Sequence, residues 1–274
     1  MVVKPSMKSA LILVLGALIV LPGYAQEVLW KELNDMAILL YHQGRYAEAA
    51  KVAEQALKVA ERTFGPDHPV ATIPLKNLAL VYYAQGKYTD AEPLFKRAMA
   101  IDEKAFGEDD SEVATDLNNL AQLYAAQGKY TDAEPLFKRA LAIDEKALGD
   151  NHPNVGRDVN NLALVYYAQG KYTDAEPLFK RALAIEEKAL GAAHPHVATS
   201  LINLGELYRA QGKYAEAEPL YQRALAIRER NYGPNHPNVA KVLEKMAGLY
   251  KKMGRKGEAE KLEKRAKGIR VGSQ

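Results

Sequence analysis

One stretch of sequence returns at a fixed interval and dominates this chain. It reads AQGKYTDAEPLFKRALAIDEKALG at residues 126–149, returns at 168–191 with one substitution, and occurs at 84–107 with two. The interval between the copies is 42 residues. Looser copies flank them, so that glycine recurs at this interval at positions 44, 86, 128, 170, 212 and 254. A fixed period of roughly 20–50 residues is typical of stacked repeat arrays, whose units bury their apolar faces only against one another.

The first half of each copy predicts an amphipathic helix, called helix A below. In the second copy Leu75, Leu78, Ala79 and Tyr82 follow the spacing of one helical face. Gly86 comes directly after this helix and predicts its end, because glycine adopts the left-handed backbone conformation without steric cost.

The second half of each copy predicts another helix, called helix B. Thr89 and Glu92 form a Thr-x-x-Glu sequence, which predicts the helix start as a capping box. Pro93 is expected in the first turn, where a missing amide costs little. The apolar face continues through Phe95 to about Phe106. Each copy is therefore expected to form a helical hairpin.

The hairpins are joined by Gly-x-x-His-Pro linkers, found at residues 65–69, 149–153, 191–195 and 233–237. Glycine ends helix B, and proline suits the first position of the next helix A. Equivalent histidines of successive repeats lie too far apart to share a metal ion, so we expect a linker or capping role for them. In the third copy Asp110 and Ser111 replace His-Pro, and Ser111 is the expected cap. Pro74 lies inside a helix A and predicts a kink or a delayed helix start.

The predicted fold class is all-α, a right-handed α-solenoid of six stacked helix-turn-helix hairpins over residues 26–270. The repeats are expected at about 28–67, 68–109, 110–151, 152–193, 194–235 and 236–270, followed by a frayed tail at 271–274.

The N-terminus predicts export. Lys4 and Lys8 precede an apolar run at residues 10–21, and small residues at 23 and 25 fit a signal peptide of residues 1–25 that is cleaved after Ala25. The mature chain is then expected in the periplasm or secreted, without a stable membrane span. An uncleaved signal that anchors the chain in the membrane is the alternative. The chain has no cysteine, which excludes disulfides and thiolate metal sites.

The net charge is only +3, with the basic residues concentrated in the last helical region. This pattern is weaker than the basic footprint of a nucleic-acid-binding protein, and a solvated capping helix explains it. The sequence contains no phosphate-binding glycine loop, nucleophile elbow or metalloprotease helix, so we predict neither an enzyme nor a cofactor.

Six residues of the second copy resemble the tetratricopeptide repeat (TPR) signature: Leu78, Ala79, Tyr82, Ala91, Phe95 and Ala98. The 42-residue period, the His-Pro linker, LNNLA at 117–121 and AEPLFKRAL at 133–141 resemble the kinesin light chain subtype. This resemblance implies that helix A lines a concave surface that contacts extended peptides.

The candidate binding residues are the helix A positions off the apolar face. Asparagine recurs at 77, 119, 161 and 203, a set called the asparagine ladder below. An amide has both a donor and an acceptor and can pair with the backbone of an extended peptide. The alternative is that these asparagines bond within or between repeats. The full candidate set is Lys76, Asn77, Tyr83, Asn118, Asn119, Gln122, Arg157, Asn160, Asn161, Tyr167, Asn203, Glu206 and Arg209, with Lys76, Arg157 and Arg209 expected to be available for acidic side chains of a partner.

We therefore expect a non-catalytic scaffold that binds a protein or peptide on the helix A surface. The alternative is a structural or self-assembling component of the cell envelope.

Overall fold

The computed structural model describes residues 23–272, and its regular secondary structure in that range is helical throughout. Residues 1–22, which hold most of the predicted signal peptide, lie outside the described residues, as do the last two residues of the predicted tail. The predicted cleavage after Ala25 falls within the first turn of the first described helix, which begins at Gly23.

Twelve α-helices and one short 3-10 helix form six consecutive helix pairs in this range. They are α1 (Gly23–His42), α2 (Tyr46–Phe64), the 3-10 helix (Pro69–Ala71), α3 (Thr72–Ala84), α4 (Tyr88–Phe106), α5 (Ser111–Ala126), α6 (Tyr130–Leu148), α7 (Pro153–Ala168), α8 (Tyr172–Leu190), α9 (Pro195–Ala210), α10 (Tyr214–Tyr232), α11 (Pro237–Lys252) and α12 (Lys256–Val271). The odd-numbered helices are the predicted helices A and the even-numbered ones the predicted helices B. The all-α fold class, an array of repeated hairpins, is confirmed.

The helices belong to two compact units, the first ending at Leu123 and the second beginning at Tyr124. In the core, small residues leave room for large side chains of the neighbouring helices. In the second unit Phe179 is fully buried and packs with Ala163, Ala175 and Leu204. The alternation of alanine with an aromatic residue in the sequence thus produces close packing between helices.

Each hairpin turn is closed by the predicted glycine. Gly86 has a φ of 73° and donates its N–H to the Tyr83 carbonyl at 2.9 Å, while Lys87 donates to the Tyr82 carbonyl at 2.9 Å. This pair of bonds is a Schellman motif, which satisfies the last carbonyls of helix A.

The predicted capping box is wrong. Helix α4 begins at Tyr88, one residue before Thr89, and Lys87 at its N-cap makes no side-chain capping bond. Pro93 is consequently the sixth residue of the helix and lies beyond the first turn. The carbonyl of Thr89 then lacks its helical donor, and both Thr89 and Pro93 are exposed, so water can satisfy this carbonyl.

The glutamate of this motif instead joins neighbouring repeats. In the second unit Glu134 of α6 accepts hydrogen bonds from Tyr166 Oη of α7 at 3.3 Å and from Nε2 of Gln169, the residue after α7, at 3.4 Å. The equivalent Glu176 of α8 accepts from Tyr208 Oη and Lys213 Nζ, each at 3.2 Å. Hydrogen bonds, chiefly from Lys180, lower the pKa of Glu176 to about 2. The repeated stretch therefore holds both a turn and an inter-repeat contact.

The linker histidines are N-caps, as predicted. His152 Nδ1 accepts the N–H of Asn154 at 3.2 Å, and His68, His194 and His236 cap their helices in the same way. In the third copy the cap is Asp110, which accepts the N–H of Glu112 at 2.8 Å, while Ser111 is the first helical residue. The expectation that Ser111 caps this helix is therefore wrong. Aspartate is the better acceptor at an N-cap because its carboxylate also favours the positive end of the helix.

The capping role predicts the effect of replacing one histidine. His152→Ala removes the acceptor for the N–H of Asn154, and we expect a loss of about 1 kcal/mol in the free energy of unfolding, measured by urea denaturation. His152→Asn retains an acceptor and serves as the control, with little expected loss. An equal loss in both variants would contradict the capping role.

The delayed helix start at Pro74 is confirmed. Residues 69–71 form a 3-10 turn and the α-helix begins at Thr72, whereas α7, α9 and α11 begin at the linker proline itself. Pro74 then occupies the third position of α3, where the backbone N–H has no helical acceptor, so its absence breaks no bond.

Candidate functional site

A groove of about 550 Å³ lies on the helix A side of the first unit. It is formed by the 3-10 helix, α3, the end of α4 and α5, and we call it the α3–α5 groove. Its lining residues are Pro69, Thr72, Ile73, Lys76, Asn77, Leu80, Asp102, Phe106, Glu112, Thr115 and Asn119. Three of them, Lys76, Asn77 and Asn119, belong to the predicted binding set.

Exposed apolar side chains form part of the groove wall. Ile73 is 43% exposed and Phe106 is 51% exposed, values that a core residue would not show. Leu80 lines this groove and also a second, smaller hollow of about 200 Å³. That hollow is almost entirely apolar and is lined by Ala37, Ile38, Tyr41, His42, Asn77, Leu80 and Val81. The two spaces share Asn77 and Leu80, so the surface from α1 to α5 is continuous.

Sequence comparison between the repeats contained a signal for the apolar wall that the predicted set missed. At the position of Ile73 the later copies have Thr115, Arg157 and Thr199. Ile73 is thus an apolar residue at a position that is polar in the later copies, which indicates a local surface function. The position of Phe106 is apolar or aromatic in the other copies as well, with Leu148 in the next one, so the sequence marks Phe106 only as a substitution in an otherwise repeated stretch.

The prediction that Lys76 is available to a partner is wrong. Its Nζ lies 2.9 Å from Asp102 Oδ2, 3.2 Å from Asp116 Oδ1 and 3.3 Å from Glu112 Oε2. Burial acts to lower the pKa of Lys76, but Asp116 and Asp102 outweigh it and the pKa is raised. Lys76 therefore stays charged and neutralises acids of its own chain.

The other two predicted cations also have carboxylate partners. Arg157 Nε lies 3.1 Å from Asp158 Oδ1, and Arg209 donates two hydrogen bonds to Glu206, the shorter at 2.6 Å. Burial would raise the pKa of Glu206, but the bonds from Arg209, Tyr221 and Lys245 lower it overall. The expectation of free cations on this surface is thus wrong for these arginines as well.

The asparagine ladder is used in part for bonds between repeats. Asn77 Nδ2 donates to Asn34 Oδ1 at 2.7 Å in the first unit, and Asn203 Nδ2 donates to Asn160 Oδ1 at 2.9 Å in the second. Asn118 is buried and donates to the carbonyl of Ala114, so it is not on an open surface as predicted. The structural alternative therefore holds for these residues.

Asn119 differs from them. It lines the α3–α5 groove, is partly exposed, and makes no hydrogen bond within the described residues. Of the remaining predicted residues, Asn161 is partly exposed and Gln122 is exposed. Tyr83 packs on Tyr88 and Tyr167 packs on Tyr172, each with ring centroids 5.6 Å apart, and burial raises the pKa of both Tyr83 and Tyr167.

Within residues 23–272 no helix is long and apolar enough to cross a bilayer. The same part of the chain has no group of three or more histidine and acidic side chains placed to hold a metal ion.

Several solved structures have a fold similar to that of this chain. BtubC (BKLC) from P. vanneervenii is 25% identical over 83% of this chain and 92% of that chain, with a TM-score of 0.72. The P. anserina protein with kinesin light chain nearly identical TPR-like repeats is 28% identical over 76% of this chain and 98% of that chain, with a TM-score of 0.64. The apo form of RapI, at 17% identity, covers 96% of this chain and 88% of that chain with a TM-score of 0.68 and shows similarity of fold alone. No curated protein matches the sequence.

The family assignment comes from the repeats themselves. The tetratricopeptide repeat model matches five overlapping windows, at residues 27–104, 69–146, 112–188, 158–230 and 196–270. These windows span nearly all the described helices, and the P. anserina structure named above has repeats of the kinesin light chain kind. This chain belongs to the tetratricopeptide repeat family.

Proposed function

We propose that this protein is an exported, non-catalytic scaffold that binds an extended peptide segment of a partner protein in the α3–α5 groove. TPR repeats generally mediate interactions between proteins. The observation that carries the proposal is the combination of exposed Ile73 and Phe106 with the unbonded amide of Asn119 in one groove.

The chemistry of the groove fits an extended chain. Apolar side chains of a peptide can cover Ile73, Leu80 and Phe106, and the Asn119 amide can pair with both a carbonyl and an N–H of the peptide backbone. Peptide sites of this kind place most of their binding free energy in a few apolar anchors. Because Lys76 is already neutralised, an acidic side chain is not the expected anchor.

The groove can be tested with peptides selected from a random displayed library on the mature chain. We expect Phe106→Ser to weaken the selected peptides by about tenfold or more, since it removes an exposed anchor. Leu148→Ser is the matched control, because Leu148 occupies the same repeat position and is also exposed, at 37%, but lies outside the groove. Asn119→Ala is expected to weaken binding less, by the worth of one or two hydrogen bonds. Equal affinities of the Phe106 and Leu148 variants, measured by fluorescence anisotropy, would reject the groove as the site.

The export part of the proposal rests on Lys4, Lys8 and the apolar run at residues 10–21. N-terminal sequencing of the protein recovered from envelope fractions tests it, and the expected first residue is Gln26. Light scattering on the same material tests the self-assembling alternative, which predicts a mass that rises with concentration.

A further inference from the structure

Two carboxyl pairs are buried between successive repeats. Asp102 at the end of α4 faces Asp116 of α5 in the first unit, and Asp144 of α6 faces Asp158 of α7 in the second. All four side chains are at most 1% exposed. The pairs occupy the same position of the 42-residue repeat.

The first pair has fewer positive charges beside it than two ionised carboxylates need. Lys76 of α3 is the cation nearest the first pair, and Glu112 of α5 competes for it at 3.3 Å. Around the second pair Arg157 lies 3.6 Å from Asp144 Oδ2 and 3.1 Å from Asp158 Oδ1, and His152 also acts on Asp144. Two buried carboxylates in contact would repel each other strongly in this environment.

A proton resolves the repulsion. The two carboxyls of each pair are placed to hydrogen-bond each other, which requires that one of them be protonated. Oδ1 of Asp102 and Oδ2 of Asp116 have no other donor among the described residues. A proton shared between the carboxyls supplies the missing donor.

The next repeat of the chain shows the same contact built with a permanent donor. Glu186 and Ser200 occupy the equivalent positions, and Ser200 Oγ donates to Glu186 Oε2 at 2.7 Å, with both residues buried. The Ser200 hydroxyl supplies the hydrogen-bond donor that a shared proton supplies in the two aspartate pairs. Towards the ends of the array the equivalent residues form no carboxyl pair: they are Ala60 and Pro74 in one repeat, and Arg228 and Val242 in the other.

We infer that the Asp102–Asp116 and Asp144–Asp158 contacts stabilise the packing of successive repeats only while each pair holds a proton. The array is therefore more stable in mildly acidic than in mildly alkaline solution. This inference does not depend on the proposed peptide groove. It concerns the free energy of unfolding, whatever the partner.

The direction of this pH dependence follows from the linkage between proton binding and folding. Burial raises the pKa of Asp116 and of Asp158 from an ordinary value of 3.8 to about 7, against the opposing effects of Lys76 and Arg157, respectively. A carboxyl whose pKa is raised on folding contributes its full stabilisation at a pH below its ordinary pKa. This stabilisation is lost as the pH rises toward and through 7. For one such group the unfolding equilibrium constant rises on the order of tenfold between pH 6 and pH 8.

The test compares urea denaturation of the mature chain at pH 6 and pH 8. We expect the unfolding equilibrium constant of the wild-type chain to rise more steeply than that of Asp116→Asn/Asp158→Asn, by a factor on the order of tenfold for each pair. Asparagine keeps the shape and a donor but cannot ionise. Asp132→Asn/Asp174→Asn is the matched control, since both residues are exposed, and its pH dependence is expected to equal that of the wild type.

A second variant keeps the proposal testable if the double asparagine variant does not fold. Ser200→Asp converts the Glu186 contact into a third carboxyl pair, and we expect it to add on the order of tenfold to the change between pH 6 and pH 8. Carbon-13 NMR of labelled aspartate gives a direct readout, with two carboxyl resonances expected to titrate near pH 7. Equal pH dependence of the wild type and the double asparagine variant, or no added dependence in Ser200→Asp, would overturn the proposal.

Discussion

Replacing Phe179 by alanine is expected to destabilise the protein by about 3–5 kcal/mol, the range for deleting a fully buried aromatic side chain. Phe179 is fully buried and packs with Ala163, Ala175 and Leu204, whose small or constrained side chains cannot fill the space that it leaves. The free energy of unfolding from urea denaturation measures the loss.

Two further variants test whether the loss comes from the burial of the ring. Leu164→Ala is the control, because Leu164 lies on the neighbouring helix but is 38% exposed, and surface substitutions usually change stability by about 0.5 kcal/mol or less. Phe137→Ala is expected to match Phe179→Ala, since the two residues lie in nearly identical stretches and Phe137 is only 2% exposed. A loss below about 1.5 kcal/mol for Phe179→Ala would contradict the packing described for this repeat.

Gly205→Ala is expected to destabilise the protein by about 1–3 kcal/mol, although alanine is the better helix former. A Cβ at Gly205 would lie 2.9 Å from Cε1 of Tyr221. The ring cannot easily move away, because Tyr221 Oη donates to Glu206 Oε1 at 2.7 Å. The glycine therefore makes room for an anchored tyrosine ring.

A double variant separates this explanation from a general intolerance of the helix. The preceding repeat has Ala163, Leu164 and Phe179 where this one has Gly205, Glu206 and Tyr221. Tyr221→Phe removes the anchor, so Gly205→Ala/Tyr221→Phe is expected to recover most of the lost stability. If the double variant is as unstable as the sum of the single variants, the two positions are not coupled and the clash is not the cause.

The sequence predicted the parts of this fold that depend on neighbours along the chain. Gly86 ends a helix because of its own backbone freedom, and His152 caps one because its acceptor lies two residues from the donor. Pro74 delays a helix for the same local reason. Such features can be predicted from a few consecutive residues.

The parts that failed depend on contacts between helices. The Thr-x-x-Glu spacing of a capping box also suits a glutamate that binds the next repeat, and only the helix start at Tyr88 distinguishes the two. Lys76 was expected to be free because it lies off the apolar face, but that position faces Asp102 and Asp116 of following helices. Phe106 is a groove residue that the predicted set lacked, because its exposure depends on the packing of the helices, which the repeat pattern leaves open.

The contact between a helix B glutamate and the tyrosine of the next helix A has a consequence for how such a chain can evolve. Glu134 with Tyr166 and Glu176 with Tyr208 are the same pair of partners, one period apart. A recombination event that removes or adds one whole 42-residue copy therefore joins a glutamate to a tyrosine again. The junction needs no compensating substitution, so the length of the array can change in single genetic steps while each new boundary is already matched.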